Sequence, residues 1–338
     1  MIITELNYQW VALTQGFVIY LVGMAKPQLI VSGSIAIDRI MDFSGRYRDI
    51  IKPDKLHVLS LSVLLDKLET SPGGIGANIA YGLAQLGEKP VLLGSVGDDG
   101  REYITRLQSA GIDTSHVHFS KLATSSFSVI TDSEGSQVGG FYPGAMQDSA
   151  SLSLAPWKDQ DVMVVVAAHD PAAMSREVAQ CREFGLKMVY DPGQQVSSPD
   201  TDLKAGVDAA EILFVNDYEL SLLCERLKTS PEKLKAAVPL VITTLGSEGS
   251  LIEGQRLKAP VKIGIAQPRQ VADPTGAGDA YRAGFLYGYL RQWELADCGQ
   301  LGAVMASFVV EQHGTQVQSS VTEIKDRYLK TFNQEIKL

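Results

Sequence analysis

Short apolar runs alternate with longer segments of helical periodicity over most of the chain. Residues 29–32, 90–96, 161–167, 187–190, 212–215 and 240–243 are the runs, rich in Val, Ile and Leu. Runs without polar alternation suit strands buried on both faces, and strands separated by helices imply a mostly parallel, doubly wound α/β sheet flanked by helices. The intervening pattern predicts helices over 79–87, 101–110, 281–290 and 301–312, the first capped by Gly87. A different rhythm appears at 125–131 and 137–142, which alternate around Asp132-Ser133-Glu134-Gly135 as a hairpin does. Residues 42–70 mix polar and apolar positions with no long helical period. With residues 121–145 they predict a small accessory sheet lying over the main one.

Residues 1–27 fit poorly with this rhythm. Trp10 to Gly23 is mostly apolar, yet too short and interrupted for a membrane span, and Glu5 stands where a secretory signal would be basic. The expectation is that Met24 is the natural start and that the stretch before it is a start-site artefact, a point for peptide mass mapping.

At 338 residues, the chain suits one large α/β domain, here 28–330, with a small appendage. A net charge of −9 argues against a nucleic-acid partner, which selects a basic face. Cys181, Cys224 and Cys298 are odd in number and without CxxC spacing, so they read as buried thiols in a reducing compartment. Five scattered histidines and no HExxH leave no histidine-based metal centre to expect.

The densest chemistry lies in Asp273-Pro274-Thr275-Gly276-Ala277-Gly278-Asp279-Ala280, which runs directly into the 281–290 helix. Gly276, Ala277 and Gly278 leave the backbone bare, so several N–H groups can converge at a helix start and, with the helix dipole, form an anion site. Asp279 follows, and the same dipole predicts that its carboxylate stays ionised. An anion cradle beside a carboxylate suits transfer of a phosphoryl group to a hydroxyl, with Asp279 accepting the proton. The bland reading is a turn with its cap.

Four further stretches bear on that choice. Pro72-Gly73-Gly74-Ile75-Gly76-Ala77-Asn78 is a second bare turn running into a helix, offering close backbone approach and the Asn78 amide to a hydroxyl. It lacks the GxGxxG spacing of a dinucleotide site. Asp38 is read as ending the first strand, where open α/β sheets bind ligands, or else as a turn former. Asn216 and Glu219 follow another strand end and could order waters around magnesium, or Asn216 simply caps a helix. Thr243-Thr244-Leu245-Gly246-Ser247-Glu248-Gly249 is a third strand-to-glycine turn that could hold phosphate or ribose.

In this order the motifs resemble the ribokinase-like (PfkB) family of sugar and nucleoside kinases. Asp273–Ala280 looks like its carboxy-terminal signature and 73–87 like its amino-terminal one, over about residues 28–330. The absence of GxxxxGK[ST] agrees, since that family phosphorylates without a P-loop. The resemblance implies Asp279 as catalytic base and Gly276, Ala277 and Gly278 as the hole for the γ-phosphoryl group. It implies Asp38, Gly74 and Asn78 on the acceptor's hydroxyls, Asn216 and Glu219 organising Mg-ATP mostly through water, and Thr244, Gly246 and Gly249 along the nucleotide. Asp273 and Thr275 match positions that bind potassium in some members, although Pro274 departs from the usual threonine. Residues 42–70 and 121–145 would form a lid that excludes water, with a homodimer paired through the lid as an expectation.

Asp42–Arg48, Phe141–Met146 and Phe214–Glu219 look most like bacterial nucleoside kinases of that family. A nucleoside needs a flat apolar slot besides diol contacts, which Phe127, Phe141 and Met146 could supply, although packing explains any one of them equally well. The reaction expected is transfer from Mg-ATP to the 5′-hydroxyl of adenosine, inosine or guanosine, in cytoplasmic purine salvage. The alternatives are a ribose or fructose kinase and a non-catalytic nucleoside sensor. A nicotinamide-dependent oxidoreductase would need GxGxxG after the first strand, where the chain reads Gly33-Ser34-Ile35-Ala36-Ile37.

Overall fold

A computed structural model of the chain describes residues 26–338, Leu59 excepted. The expectations about Met24 and the stretch before it lie outside the described residues. The strands are β1 (Gln28–Ser32), β2 (Ala36–Phe43), β3 (Lys67–Gly73), β4 (Val91–Gly97), β5 (Val117–Ser120), β6 (Ser125–Asp132) and β7 (Gln137–Tyr142). Then come β8 (Val162–Ala167), β9 (Lys187–Asp191), β10 (Ile212–Asn216), β11 (Leu240–Thr244), β12 (Ser250–Glu253) and β13 (Val261–Ile263).

Nine strands form one sheet in the order β13-β12-β11-β10-β9-β8-β1-β4-β5, every pairing parallel except those that β12, the one reversed strand, makes with β11 and β13. Alternate residues explain the unbroken apolar runs. Leu29 and Val31 of β1 enter one core with Leu83, Phe285 and Leu301, while Ile30 enters the other with Trp157, Val178 and Leu223. Helices cover both faces. From β1 the chain builds outward both ways, to β4 and β5 on one side and to β8 through β11 on the other. A crevice opens at the carboxyl ends of strands around such a reversal. All three cysteines are free and buried.

The remaining strands form a second sheet, β3-β2-β6-β7, in which β2 runs parallel to β6 and antiparallel to β3. Two expectations need correction here. Asp38 does not end the first strand. The chain leaves β1 at Ser32, turns through Gly33, and places Asp38 as the third residue of β2. The strands expected within 42–70 instead lie mostly outside it, at Ala36–Phe43 and Lys67–Gly73, because the polar segment between them folds as one helical turn, Tyr47–Ile50, and a short 3-10 stretch, Pro53–Val58. The hairpin at β6 and β7 forms as its alternation requires.

Helices extend beyond their predicted starts. The first runs Ile75–Gln85, so Asn78 is a helical residue, and Gly87 follows with the positive φ of 83° its capping role needs. The helix Ala277–Leu290 packs on Leu295–Val310 without side chains between them at one point. A Cβ on Gly284 would lie 2.8 Å from Gly302 Cα.

Candidate active site

Gly276 caps the Ala277–Leu290 helix in the left-handed region, φ 80°, and a Cβ there would lie 2.7 Å from Thr315 Cβ. Ala277, Gly278 and Asp279 form the first turn; the Ala277 N–H turns back to Pro274 O at 3.1 Å, while those of Gly276, Gly278 and Asp279 have no backbone partner among the described residues. Gly74 plays the same part for Ile75–Gln85, with φ 93° and a Cβ position 2.5 Å from Ser34 O. The two bare turns meet. Asn78 Nδ2 donates to Asp279 Oδ2 at 2.8 Å.

What orients Asn78 lies on a loop after the last buried helix. Thr315 Oγ1 is 2.9 Å and Gln316 Nε2 3.2 Å from Asn78 Oδ1, so the oxygen end of the amide faces two donors and its NH2 faces Asp279. Thr315 Oγ1 also lies 3.0 Å from Pro72 O, and Tyr103 O–H donates to Gly73 O at 2.9 Å. The buried Asn78 amide thus spends its oxygen and one N–H inside the protein, and its second N–H has no protein partner among the described residues.

Asp279 departs from expectation in its charge state. Its carboxyl is not held ionised by the helix dipole. Burial pushes its pKa up to about 7, against the lowering effects of Arg282 and the Asn78 hydrogen bond, with Asp191 and Asp38 adding to the rise. Desolvation outweighs the dipole. Asp38 is shifted likewise, to about 6, first by burial and then by Asp273.

Asp38 is half-buried, and its carboxylate fills the space of a side chain that Gly73 lacks; a Cβ there would lie 2.2 Å from Asp38 Oδ2. Across the small sheet Asp38 is directly opposite Phe127, and Phe127 opposite Phe141. Residues facing each other in register point to the same side. One carboxylate and two rings therefore stand in a row, the rings 40 % and 41 % exposed, while Met146 is buried beyond the end of β7.

The third and fourth groups sit at strand ends of the large sheet. Asn216 caps the helix Asp217–Leu227 in a reciprocal capping box: its Oδ1 accepts from Glu219 N at 2.7 Å and Glu219 Oε2 accepts from Asn216 N at 2.8 Å. Burial raises the Glu219 pKa, with Asp191 contributing. Thr244 ends β11, paired with Asn216 of β10, and Gly246 (φ 57°) and Gly249 (φ 89°) make the turn to β12. Asp273 Oδ1 accepts from Thr275 N at 2.9 Å. No cluster of three or more His, Cys, Asp or Glu side chains fit to hold a metal occurs among the described residues.

Two charged residues of the site belong to none of the sequence motifs. Arg282 and Asp191 form a buried pair, Nε–Oδ2 2.5 Å and Nη2–Oδ1 2.8 Å, beneath the Gly276–Gly278 turn. The available signals were an arginine three residues after Asp279 in an otherwise apolar helix, and an aspartate at a strand end.

The pfkB family carbohydrate kinase model matches residues 32–322, nearly the whole described chain. The chain belongs to the pfkB family. This pfkB kinase is 34 % identical over 273 residues to a protein named nucleoside kinase from Methanothermobacter thermautotrophicus, covering 79 % of this chain and 87 % of that one. It superimposes on the nucleoside kinase of Burkholderia thailandensis in complex with inosine with a TM-score of 0.81 at 28 % identity, covering 91 % and 100 % of the two chains. A ribokinase from Thermotoga maritima shares the fold, with a TM-score of 0.75 at 20 % identity over 90 % and 99 %. The ribokinase-like α/β architecture expected from sequence is thereby established for this pfkB kinase.

Proposed function

We propose that this chain transfers the γ-phosphoryl group of Mg-ATP to the 5′-hydroxyl of a purine nucleoside (adenosine, inosine or guanosine), releasing the nucleoside monophosphate and ADP. The observation that carries the reading is the row Asp38–Phe127–Phe141. A carboxylate suits the vicinal 2′- and 3′-hydroxyls of ribose, and the exposed rings suit a planar base. A free sugar has no use for the rings. The relatives support the same choice, through the name of the Methanothermobacter protein and the inosine in the Burkholderia complex.

In the step itself the 5′-oxygen attacks the γ-phosphorus, its proton passes to Asp279, and the bond from phosphorus to the β,γ-bridging oxygen breaks to release ADP. A base with a pKa of about 7 is matched to work near neutral pH. The free N–H groups at Gly276 and Gly278 take the charge of the transferring group, with Ala277 between them holding the turn through Pro274 O. Thr244, Gly246 and Gly249 lie along the nucleotide. Magnesium supplies charge neutralisation on the phosphates. With Asn216 and Glu219 occupied in a capping box, they fit such an ion through water, and the phosphates would provide its direct ligands. Asp273 and Thr275 are the potassium candidates. The small sheet, with 42–70 and 121–145, serves as the lid and as the surface through which two copies would pair. No helix among the described residues is long and apolar enough to cross a membrane, and the reading places the enzyme in the cytoplasm, in purine salvage.

The test is ADP release from Mg-ATP with adenosine, inosine, guanosine, cytidine, ribose and fructose. Turnover with purine nucleosides and little with free sugars is expected. Turnover with a sugar alone would overturn the pocket assignment.

A further inference from the structure

Arg282 is the only buried lysine or arginine among the described residues, 7 % exposed. Burying a cation is costly unless its partners offset the lost hydration. Helical side chains lean toward the N-terminus of their helix, so Arg282 carries its guanidinium back to the first turn of Ala277–Leu290. A Cβ on Gly278 would lie 2.6 Å from Arg282 Nη1. A cation at a helix N-terminus works against the helix dipole. Asp191, wholly buried at the end of β9, offsets that by accepting a hydrogen bond from Nη2 at 2.8 Å with its other oxygen 2.5 Å from Nε, and the guanidinium lies over the Phe214 ring at 5.6 Å. Nη1 is left over, with no hydrogen-bond partner among the described residues.

The surroundings are otherwise acidic. Asp279 on the same helix, Asp38 from β2, Asp191 from β9 and Glu219 from the helix after β10 all bear on this corner. A nucleoside triphosphate brought here meets several carboxylates and one fixed positive charge.

We propose that Arg282 binds the transferring phosphoryl group: Nη1, presented beside Gly278 from beneath the bare turn, shares the developing negative charge with the turn's N–H groups, and Asp191 fixes the guanidinium for that task. The assignment rests on the kinase reading above and adds a residue to the same site. Nη2 and Nε are held against Asp191 and Nη1 has no partner among the described residues, so the charge is delivered in one orientation. A lysine would bring charge without the side-on anchor to Asp191.

The experiment compares wild type with Arg282→Gln, Arg282→Lys and Asp191→Asn, each checked for cooperative thermal unfolding. Turnover is measured with the best acceptor, and calorimetry measures ADP, nucleoside, and ADP with aluminium fluoride plus nucleoside, a mimic of the transferring group. For Arg282→Gln, kcat is expected to fall about 10²-fold or more, the size seen on losing one charge-stabilising donor. ADP and nucleoside affinities should stay within about threefold while the mimic's affinity falls with kcat. Arg282→Lys should recover a minority of the rate, and Asp191→Asn should lose part of it. A folded Arg282→Gln that keeps kcat within threefold, or that loses ADP and nucleoside binding as steeply as the mimic, overturns the assignment. If Arg282→Gln fails to fold, the decision passes to the folded Arg282→Lys, whose unchanged affinity for the mimic would overturn it. A wild type inactive on every nucleoside and sugar overturns the kinase reading, and this one with it.

Discussion

Asn78 and Asp279, 201 residues apart in sequence, meet through one hydrogen bond in which Asn78 Nδ2 donates to Asp279 Oδ2 at 2.8 Å. The bond joins the helices of the two glycine turns and favours the ionised form of the carboxyl. Burial opposes it, and the balance leaves the group near neutrality.

Removing the proton acceptor alone should separate binding from turnover. Asp279→Asn is expected to keep ADP and nucleoside affinity within a few-fold and lose about 10²–10⁴ in kcat, the usual contribution of a general base. A coupled assay for ADP release measures it, and near-full rate in the folded variant would remove Asp279 from the mechanism.

The same variant makes a prediction about stability. The Asp279 pKa is raised from 3.8 to about 7 in the folded protein, so the folded state favours the protonated form. Stability from that group is complete below its unfolded value and is lost as the pH rises through about 7. Asp279→Asn, always neutral, should therefore unfold at a higher temperature than wild type. The gap should widen from about pH 4 to about pH 7 and level off above, in calorimetric scans across that range. A gap that narrows as the pH rises contradicts the burial argument.

Activity should fall on the acid side of pH 7 and more steeply below pH 6, as Asp279 and then Asp38 take up protons. Asn78→Leu removes the donor that lowers the Asp279 pKa, so the acid limb of kcat should move to higher pH. A limb that stays put while kcat drops uniformly would mean that Asn78 acts only by packing.

Asp38→Ala should raise the acceptor KM about tenfold or more, from the ~1.5–3 kcal/mol of a hydrogen bond to a charged group, with ATP KM nearly unchanged. Phe141→Ala, removing a ring already 41 % exposed, should raise nucleoside KM with little change in unfolding temperature. Initial-rate kinetics with both substrates varied distinguishes these outcomes.

Gly276→Ala asks an L-residue to hold φ 80° with its Cβ against Thr315. A loss of about 1–2 kcal/mol is expected from the left-handed backbone alone, read from urea unfolding, together with a large loss of kcat. Unchanged stability would mean that the turn relaxes.

What could be read from sequence was local. Asp279 sits two residues past Ala277 on a turn whose glycines announce themselves, and Asn216 with Glu219 carries the spacing of a capping box. Where contacts cross the chain, the sequence was mute. Asp38 seemed to end a strand because nothing in Ser32–Ala36 marks the break between two sheets; only pairing with β6 defines it. Arg282 lay hidden in an apolar helix because its partner Asp191 is 91 residues away. Thr315 and Gln316, which turn the Asn78 amide, belong to a loop with no pattern to distinguish it. The charge state of Asp279 is hidden for a related reason: a dipole is visible from one helix, whereas desolvation is a property of everything packed around it.

The contact of Gly284 with Gly302 bears on how the two substrates come into line. Where backbone rests on backbone there is no side chain to swivel, so the helix carrying Asp279 and Arg282 has a single seating against its neighbour. It acts as the anvil of the machine. Alignment of donor and acceptor must then come from the pieces that arrive, namely the nucleotide, the acceptor and the small sheet, and drift in those parts can change what is phosphorylated while the striking face stays where it is.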